Sequence, residues 1–396
     1  MRYAGVDIAS ERHVVVVVDG DGTVLRKASP FGEDAEGYSL LRERLGPAGE
    51  VLVALEATGH YWKNLVGFLL AEGYTVALLN PLRTKRFGQE DLVRAKNDNV
   101  DAMLIARFAA QKRLGGTRLP DEATEELREM VRLRDRLVQD LGDRVRQLHR
   151  LVDLGFPEFT RHVKSLDSQL ACSILKEYPT AKAFVGLKPN VLSRLCYDGR
   201  HRVGPELAQA LIATAAVSVG RHHGEAYRTQ VLYVCDDINT LRTRIRETEA
   251  NIEKKLDEHD VGSLLTTIDG IGPQTAARLI AELGNPAEFK SSAALASYLG
   301  VAPATNQSGK RQSQRAGITN IGNARLRSAL WMPTLTAVRR NPWLKAYYER
   351  LRSRGKVAKV ALVAAMHKLL SAIYAVARDR KPFTPHLVPE IAPPTT

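Results

Sequence analysis

The run VLVAL at 51–55 is unbroken in its apolar character and stops at a single carboxylate, Glu56. Such a run suits a strand buried on both faces, which demands a sheet with helices packed on either side. A second short apolar strand at 3–6 ends in the same way, at Asp7. Further along, Asp98 and Asp101 stand three apart in RAKNDNVDA, so a helix over 97–108 places both on one face. Each of these acids taken singly is readily an ordinary surface residue. Two at strand ends together with an Asp-x-x-Asp on a helix point instead to one convergent site. Carboxylates held together repel one another unless cations neutralise them, and hard oxygen ligands suit Mg²⁺. Two divalent ions about 3.5–4 Å apart can clamp the attacking and leaving oxygens of an in-line phosphoryl displacement.

The surrounding segments give the order of elements. Strands are expected at 3–8 and 13–18, and Asp19-Gly20-Asp21-Gly22 is a hairpin signal leading into a third strand at 23–28. A helix at 35–45, a strand at 51–55, a helix at 61–72, a strand at 75–79 and helices over 81–111 complete the region. This β-β-β-α-β-α-β-α order is that of a ribonuclease H-like fold, in which the first and fourth strands are neighbours. That adjacency sets Asp7 beside Glu56.

Long helices follow. Leu127, Val131, Val138, Leu141, Val145, Leu148 and Val152 step by three and four, with Arg134 the polar interruption, and Val231, Val234, Ile238, Leu241, Ile245 and Ile252 keep the same rhythm. Two readings stand: a coiled coil, antiparallel within the chain or formed between subunits, and ordinary helical core packing. Between the two runs, 156–224 is a mixed helical insertion whose chemistry the residues do not disclose. From 261 onward, LLTTIDGIGPQTA reads as helix, tight turn, helix. Gly270 and Gly272 there allow close backbone approach, and a following helix N-terminus can hold a nucleic-acid phosphate. A plain αα-hairpin is the alternative to this helix-hairpin-helix.

Charge is distributed unevenly. The formal net charge is +13, yet 306–381 alone holds seventeen Lys or Arg against only Glu349 and Asp379. The remainder is therefore slightly acidic, and the C-terminal part is the expected polyphosphate-facing surface. Within it, ATNQSGKR sets Ser308 beside Gly309, Lys310 and Arg311, with Arg315 close behind. A serine hydroxyl is a weak nucleophile without a base, a metal or strong transition-state stabilisation, and no local base is evident. From these residues alone a loop or capping serine is the simpler reading. Among the aromatics, Trp331 and Trp343 are expected in the core rather than stacked on bases, and Tyr347-Tyr348 in packing; His222-His223 lacks a third ligand at zinc spacing.

Other classes are set aside. Cys172, Cys196 and Cys235 form no CxxC pair, which reads as a reduced cytosolic protein without structural zinc or disulfides. No apolar run is read as approaching the roughly 18 residues of a bilayer span, so a soluble intracellular protein is expected. No GxxxxGK[ST] loop occurs, so strand rearrangement is expected to conserve phosphodiester energy rather than use ATP.

GVDIAS, LEATGHY and RAKNDNVDA, followed far downstream by IDGIGPQTAARLIAELG, ASYLGVAPATNQSGKR and VALVAAMHKLL, closely resemble the DEDD transposases of the insertion-sequence-110 family, the bridge-RNA-guided recombinases. The resemblance covers roughly 1–115 and 261–381. It implies a RuvC-like domain in which Asp7, Glu56, Asp98 and Asp101 bind Mg²⁺. It also implies a C-terminal domain whose serine, here Ser308, attacks DNA to form a covalent phosphoserine. The family's loop has Asp before that serine where this chain has Gln307. Implied partners are donor and target DNA, a structured bridge RNA encoded by the element itself, and further copies of the chain in a dimer or tetramer.

The expected organisation is a RuvC-like α/β domain at 1–118, a helical coiled-coil region at 119–258 holding the insertion, and a helical transposase domain at 259–396. The expected activity is excision and insertion of a mobile element by strand exchange, in a cytoplasmic, nucleoid-associated protein. The rival is a metal-dependent RuvC-like junction endonuclease with water as nucleophile, and a third reading is a nucleic-acid-binding protein whose acids are only structural.

Overall fold

A computed structural model describes residues 1–57, 59–90, 97–301, 307–308, 311–312 and 322–385, with 307–308 and 311–312 described by their backbone. The chain divides into two compact units, Met1–Leu119 and Pro120–Thr396.

In the first unit, strands β1 (Arg2–Asp7), β2 (Arg12–Val18), β3 (Val24–Gly32), β4 (Val51–Glu56) and β5 (Thr75–Leu79) form a mixed sheet in the order β3-β2-β1-β4-β5. The first three pair antiparallel, while β4 and β5 run parallel to β1. This arrangement is compatible with the ribonuclease H-like fold expected from the element order. The β2–β3 turn is built by Asp19, whose carboxylate accepts the N–H groups of Asp21 and Thr23, while Gly22 takes φ +86°. Strand β3 continues through Pro30, past the expected stop at 28. Proline cannot donate to a neighbour, and at the edge of a sheet it does not have to.

Helices α1 (Ala35–Leu45), α2 (Trp62–Ala71), α3 (Pro81–Glu90) and α4 (Asp98–Gln111) accompany the sheet. Strand β4 shows why its apolar run is unbroken. Val51, Val53 and Leu55 pack with Leu41 and Leu45 of α1 and Leu65 and Leu69 of α2, while Leu52 and Ala54 pack with Ala102, Ile105 and Ala106 of α4. All five of these β4 residues are fully buried.

Helix α4 approaches β1 so closely that only glycine fits between them. A Cβ on Gly5 would lie 2.2 Å from the Ala102 carbonyl oxygen and 2.3 Å from the Ala106 nitrogen. Small side chains at Ala102, Ala106 and Ala109, all fully buried, complete the contact.

The second unit is built on two long helices, α5 (Glu122–Gly155) and α10 (Glu225–Asp257). Between them lie α6 (Phe159–His162), α7 (Gln169–Glu177), α8 (Pro189–Ser193) and α9 (Pro205–Ala216). The ion pairs Glu126–Lys255, Arg134–Glu249 and Arg144–Asp237 ascend one long helix as they descend the other, so α5 and α10 are antiparallel. Arg134, the polar break in the apolar stripe, donates through Nε and Nη2 to one Glu249 oxygen at 2.9 and 2.7 Å. Leu137 rather than the expected Val138 joins Leu241 and Ile245 in the seam, and Val138 is exposed. At 3.6 residues per turn, a straight helix drifts away from a strict heptad stripe.

A core forms at each end of this pair. At one end Leu148, Leu151 and Val152 of α5 and Val231, Val234 and Ile238 of α10 pack with α6–α9. At the other, Leu127, Val131, Ile252 and Leu256 join α11 (Gly262–Leu265), α12 (Pro273–Leu283), α13 (Ser292–Leu299), α14 (Ala324–Ala329), α15 (Trp331–Arg340), α16 (Pro342–Ser353) and α17 (Ala358–Asp379). Helix α17 corrects the sequence reading, because it is long and apolar enough to cross a membrane by length and composition. Here it serves as the central core helix, burying Leu362, Ala365, Met366, Leu369, Leu370 and Ile373.

The substitution Gly5→Ala is expected to destabilise the first unit by about 1–3 kcal/mol, because the methyl group meets helix backbone rather than a movable side chain. Urea denaturation followed by the first unit's tryptophan, Trp62, measures it; a midpoint equal to wild type would show that α4 does not depend on this contact.

Candidate active site

Asp7 and Glu56 are the last residues of two adjacent parallel strands. Since Val6 is in register with Leu55, the two acids follow side by side at the strands' carboxyl ends. Open α/β sheets commonly place their ligands at that edge. Asn97 starts α4 there, its side chain accepting the Val100 N–H at 3.0 Å. Asp98 and Asp101 fall in the first helical turn, where the helix dipole favours negative charge.

The other three carboxylates act on Asp7. Burial, followed by the charges of Asp101, Asp98 and Glu56 in that order, raises the Asp7 carboxyl from 3.8 to about 6, against a smaller opposing pull from the Ile8 N–H. Among the described residues no three His, Cys, Asp or Glu side chains stand close enough to ligate one ion. Charge coupling reaches farther than ligation, so the two observations are compatible: the other acids act on Asp7 from beyond the ligand shell of a single ion. As a donor set of hard oxygens, they suit a divalent cation.

Two supports were not legible as functional in the sequence. Thr84 of α3, almost fully buried, donates its hydroxyl to Glu56 Oε1. His13, fully buried in β2, accepts the Ala9 N–H on Nδ1 at 3.3 Å and meets Glu33 through Nε2 at 2.6 Å. The ring therefore carries its proton on Nε2 and pins the turn that follows Asp7. A polar ring directly before five consecutive valines in β2 was the available signal.

The remaining predicted residues belong to the second unit. Gly270, at φ +102°, packs against α15, where an added Cβ would lie 2.6 Å from Ala337 Cβ. Gly272 is exposed and begins α12 without a side-chain cap. Ser308 lies in β6 (Gln307–Ser308) and pairs antiparallel with Arg311 of β7 (Arg311–Gln312). Lys310 and Arg315 lie outside the described residues. His222 and His223 make backbone contacts, to Leu154 and Gly220. Trp331, Trp343, Tyr347 and Tyr348 pack partly buried against the core, with the Lys368 ammonium 4.9 Å from the Trp343 ring.

Two family models match the chain, one for DEDD transposases of the IS110 type over residues 4–157 and one for the transposase IS116/IS110/IS902 family over 262–349. Together they span more than half of it. The chain belongs to the IS110 family of DEDD transposases. This transposase is similar to a 44.8 kDa protein of insertion element IS116 from Streptomyces clavuligerus, at 28% identity over 100% of this chain and 97% of the relative. It is likewise similar to the mini-circle putative transposase for IS117 of Streptomyces coelicolor, at 27% over 96% and 95%. A pilin gene-inverting protein of Moraxella bovis matches at 26% over 83% and 80%. The transposase is thus an enzyme of DNA strand transfer, which sets aside the reading of a non-enzymatic nucleic-acid-binding protein.

The raised Asp7 carboxyl has a consequence for stability. Between 3.8 and about 6 the folded state holds a proton that the unfolded state has released, so rising pH lowers stability across that window. In chelator-treated protein the melting temperature is expected to fall from pH 4 to pH 6.5, with a shallower fall in Asp7→Asn. Identical slopes in the two proteins would contradict the assignment.

Proposed function

We propose that this transposase excises and inserts its insertion element by strand exchange through a covalent phosphoserine on Ser308, assisted by Mg²⁺. The observation that supports the cation in this reading is that Asp7 and Glu56 end adjacent parallel strands while Asp98 and Asp101 open α4, their charges acting on Asp7; the family match supports strand transfer. Asp7, Glu56, Asp98 and Asp101 would hold the cation, which supplies charge stabilisation at the phosphate being transferred. Ser308 Oγ attacks the phosphodiester as its proton departs, an Oγ–P bond forms, and the leaving DNA oxygen takes up a proton as a free hydroxyl. Attack by a hydroxyl of the exchanging strand then reverses the step and restores the serine. Each exchange makes one phosphoester for each one broken, so no nucleotide is consumed.

The basic C-terminal stretch supports backbone binding by donor and target DNA and by an element-encoded bridge RNA, with base pairing supplying specificity. Lys310, Arg311 and Arg315 would attract phosphates near Ser308, and Gly272 leaves the α12 N-terminus open as a helix-hairpin-helix would require. Gly270 would serve the same motif through close packing. In this reading α5 and α10 form an antiparallel coiled coil, and Leu133 and Val138, exposed on α5, supply apolar surface for a homodimer or tetramer. Regions 1–118, 119–258 and 259–396 would act as catalytic, assembly and serine-bearing domains of a nucleoid-associated protein.

Denaturing electrophoresis of reactions on labelled element-end DNA tests the mechanism. A protein–DNA adduct is expected with wild type and with Tyr347→Phe but not with Ser308→Ala. Retained cutting by Ser308→Ala would favour a water-using junction nuclease instead.

A further inference from the structure

We infer that Thr84 is a positioning residue for Glu56, setting the orientation in which that carboxylate faces the other three acids. The inference rests on the proposed reading of Glu56 as a cation ligand. Thr84 is 1% exposed, and its Oγ1 lies within hydrogen-bonding range of two acceptors, Glu56 Oε1 and the Pro81 carbonyl oxygen at 3.1 Å. A hydroxyl has one proton to give. The bond to Pro81, three residues back on the same helix, is the local default for a helical threonine. An ionised carboxylate is the stronger acceptor, so the proton goes to Glu56.

Thr84 is well placed to hold that orientation. Strand β5 pairs with β4 so that Leu79 stands opposite Glu56, and the Ala57 N–H continues the pairing to the Leu79 carbonyl. Helix α3 begins at Pro81, directly beyond that point, which brings its first turn to the sheet edge where the acids gather. The same helix is anchored on α4, with Phe87 edge-on to Phe108 at 5.3 Å and the Arg83 guanidinium over the Phe108 ring at 5.3 Å. Helix α3 therefore touches both acid-bearing elements, β4 through Thr84 and α4 through Phe87 and Arg83.

The chemistry of the donor matters as well. A lysine or arginine at this position would neutralise Glu56 and compete with a cation. A neutral hydroxyl fixes one oxygen and leaves the full negative charge in place. Among the described side chains Thr84 is the donor to Glu56, and it occupies one of the two carboxylate oxygens. Hydrogen bonds of this kind to a ligating carboxylate typically change metal affinity by about 10–100-fold.

The test is calorimetric titration of the full chain with Mn²⁺, with no DNA turnover involved, alongside a denaturation midpoint for each variant. Thr84→Val keeps the shape of the side chain and removes the hydroxyl, and it is expected to weaken Mn²⁺ binding by about 10–100-fold. Thr84→Ser keeps the hydroxyl and is expected to bind as wild type does. Should the valine variant fail to fold, Thr84→Ala removes the same group and carries the same expectation. Glu56→Gln separates the two layers of the claim. If it loses Mn²⁺ while Thr84→Val binds normally, the positioning role is overturned and the site stands; if Glu56→Gln itself binds Mn²⁺ like wild type, the reading of the site is overturned.

Discussion

The first unit depends on the absence of one methyl group. Gly5 lets the backbone of α4 rest directly on β1, and the alanines at 102, 106 and 109 keep that approach close along the helix. Because α4 begins at Asp98, the same contact decides where Asp98 and Asp101 stand relative to Asp7. A bulkier β1 would still form a sheet, but the helix would ride farther out and carry two of the four acids with it. Packing between a strand and a helix is in this sense a statement about charge.

That charge is costly in the folded chain. Asp7 is half-buried, and burial together with the charges of Asp101, Asp98 and Glu56 raises its carboxyl, the direction expected of like charges without a counter-charge. The supports around the site are chosen accordingly. Thr84 is a neutral donor, so it fixes geometry without relieving the field.

The second unit uses a different economy. An antiparallel pair of long helices carries a separate apolar core at each end, and ion pairs such as Arg134–Glu249 accept polarity within the seam. Family resemblance covers the end that leads into Ser308 and all of α5, while 158–261 lies between the two matched regions. The core of α6–α9 nevertheless packs as fully as the other, with Phe156, Phe159 and Phe184 completely buried.

Much of this was legible from local pattern. The apolar run at 51–55, the Asp-Gly hairpin signal and the Asp-x-x-Asp spacing determined the strands, the turn and the shared face, because period and turn chemistry are properties of neighbouring residues. They also determined that Asp7 and Glu56 end strands. Other features required partners distant in the chain. That Leu137 and not Val138 fills the seam, that an apolar 22-residue helix is a core element, and that Thr84 meets Glu56 across 28 positions of sequence follow from which surfaces face one another. Periodicity states which side of a helix is apolar; only tertiary packing states what lies against it.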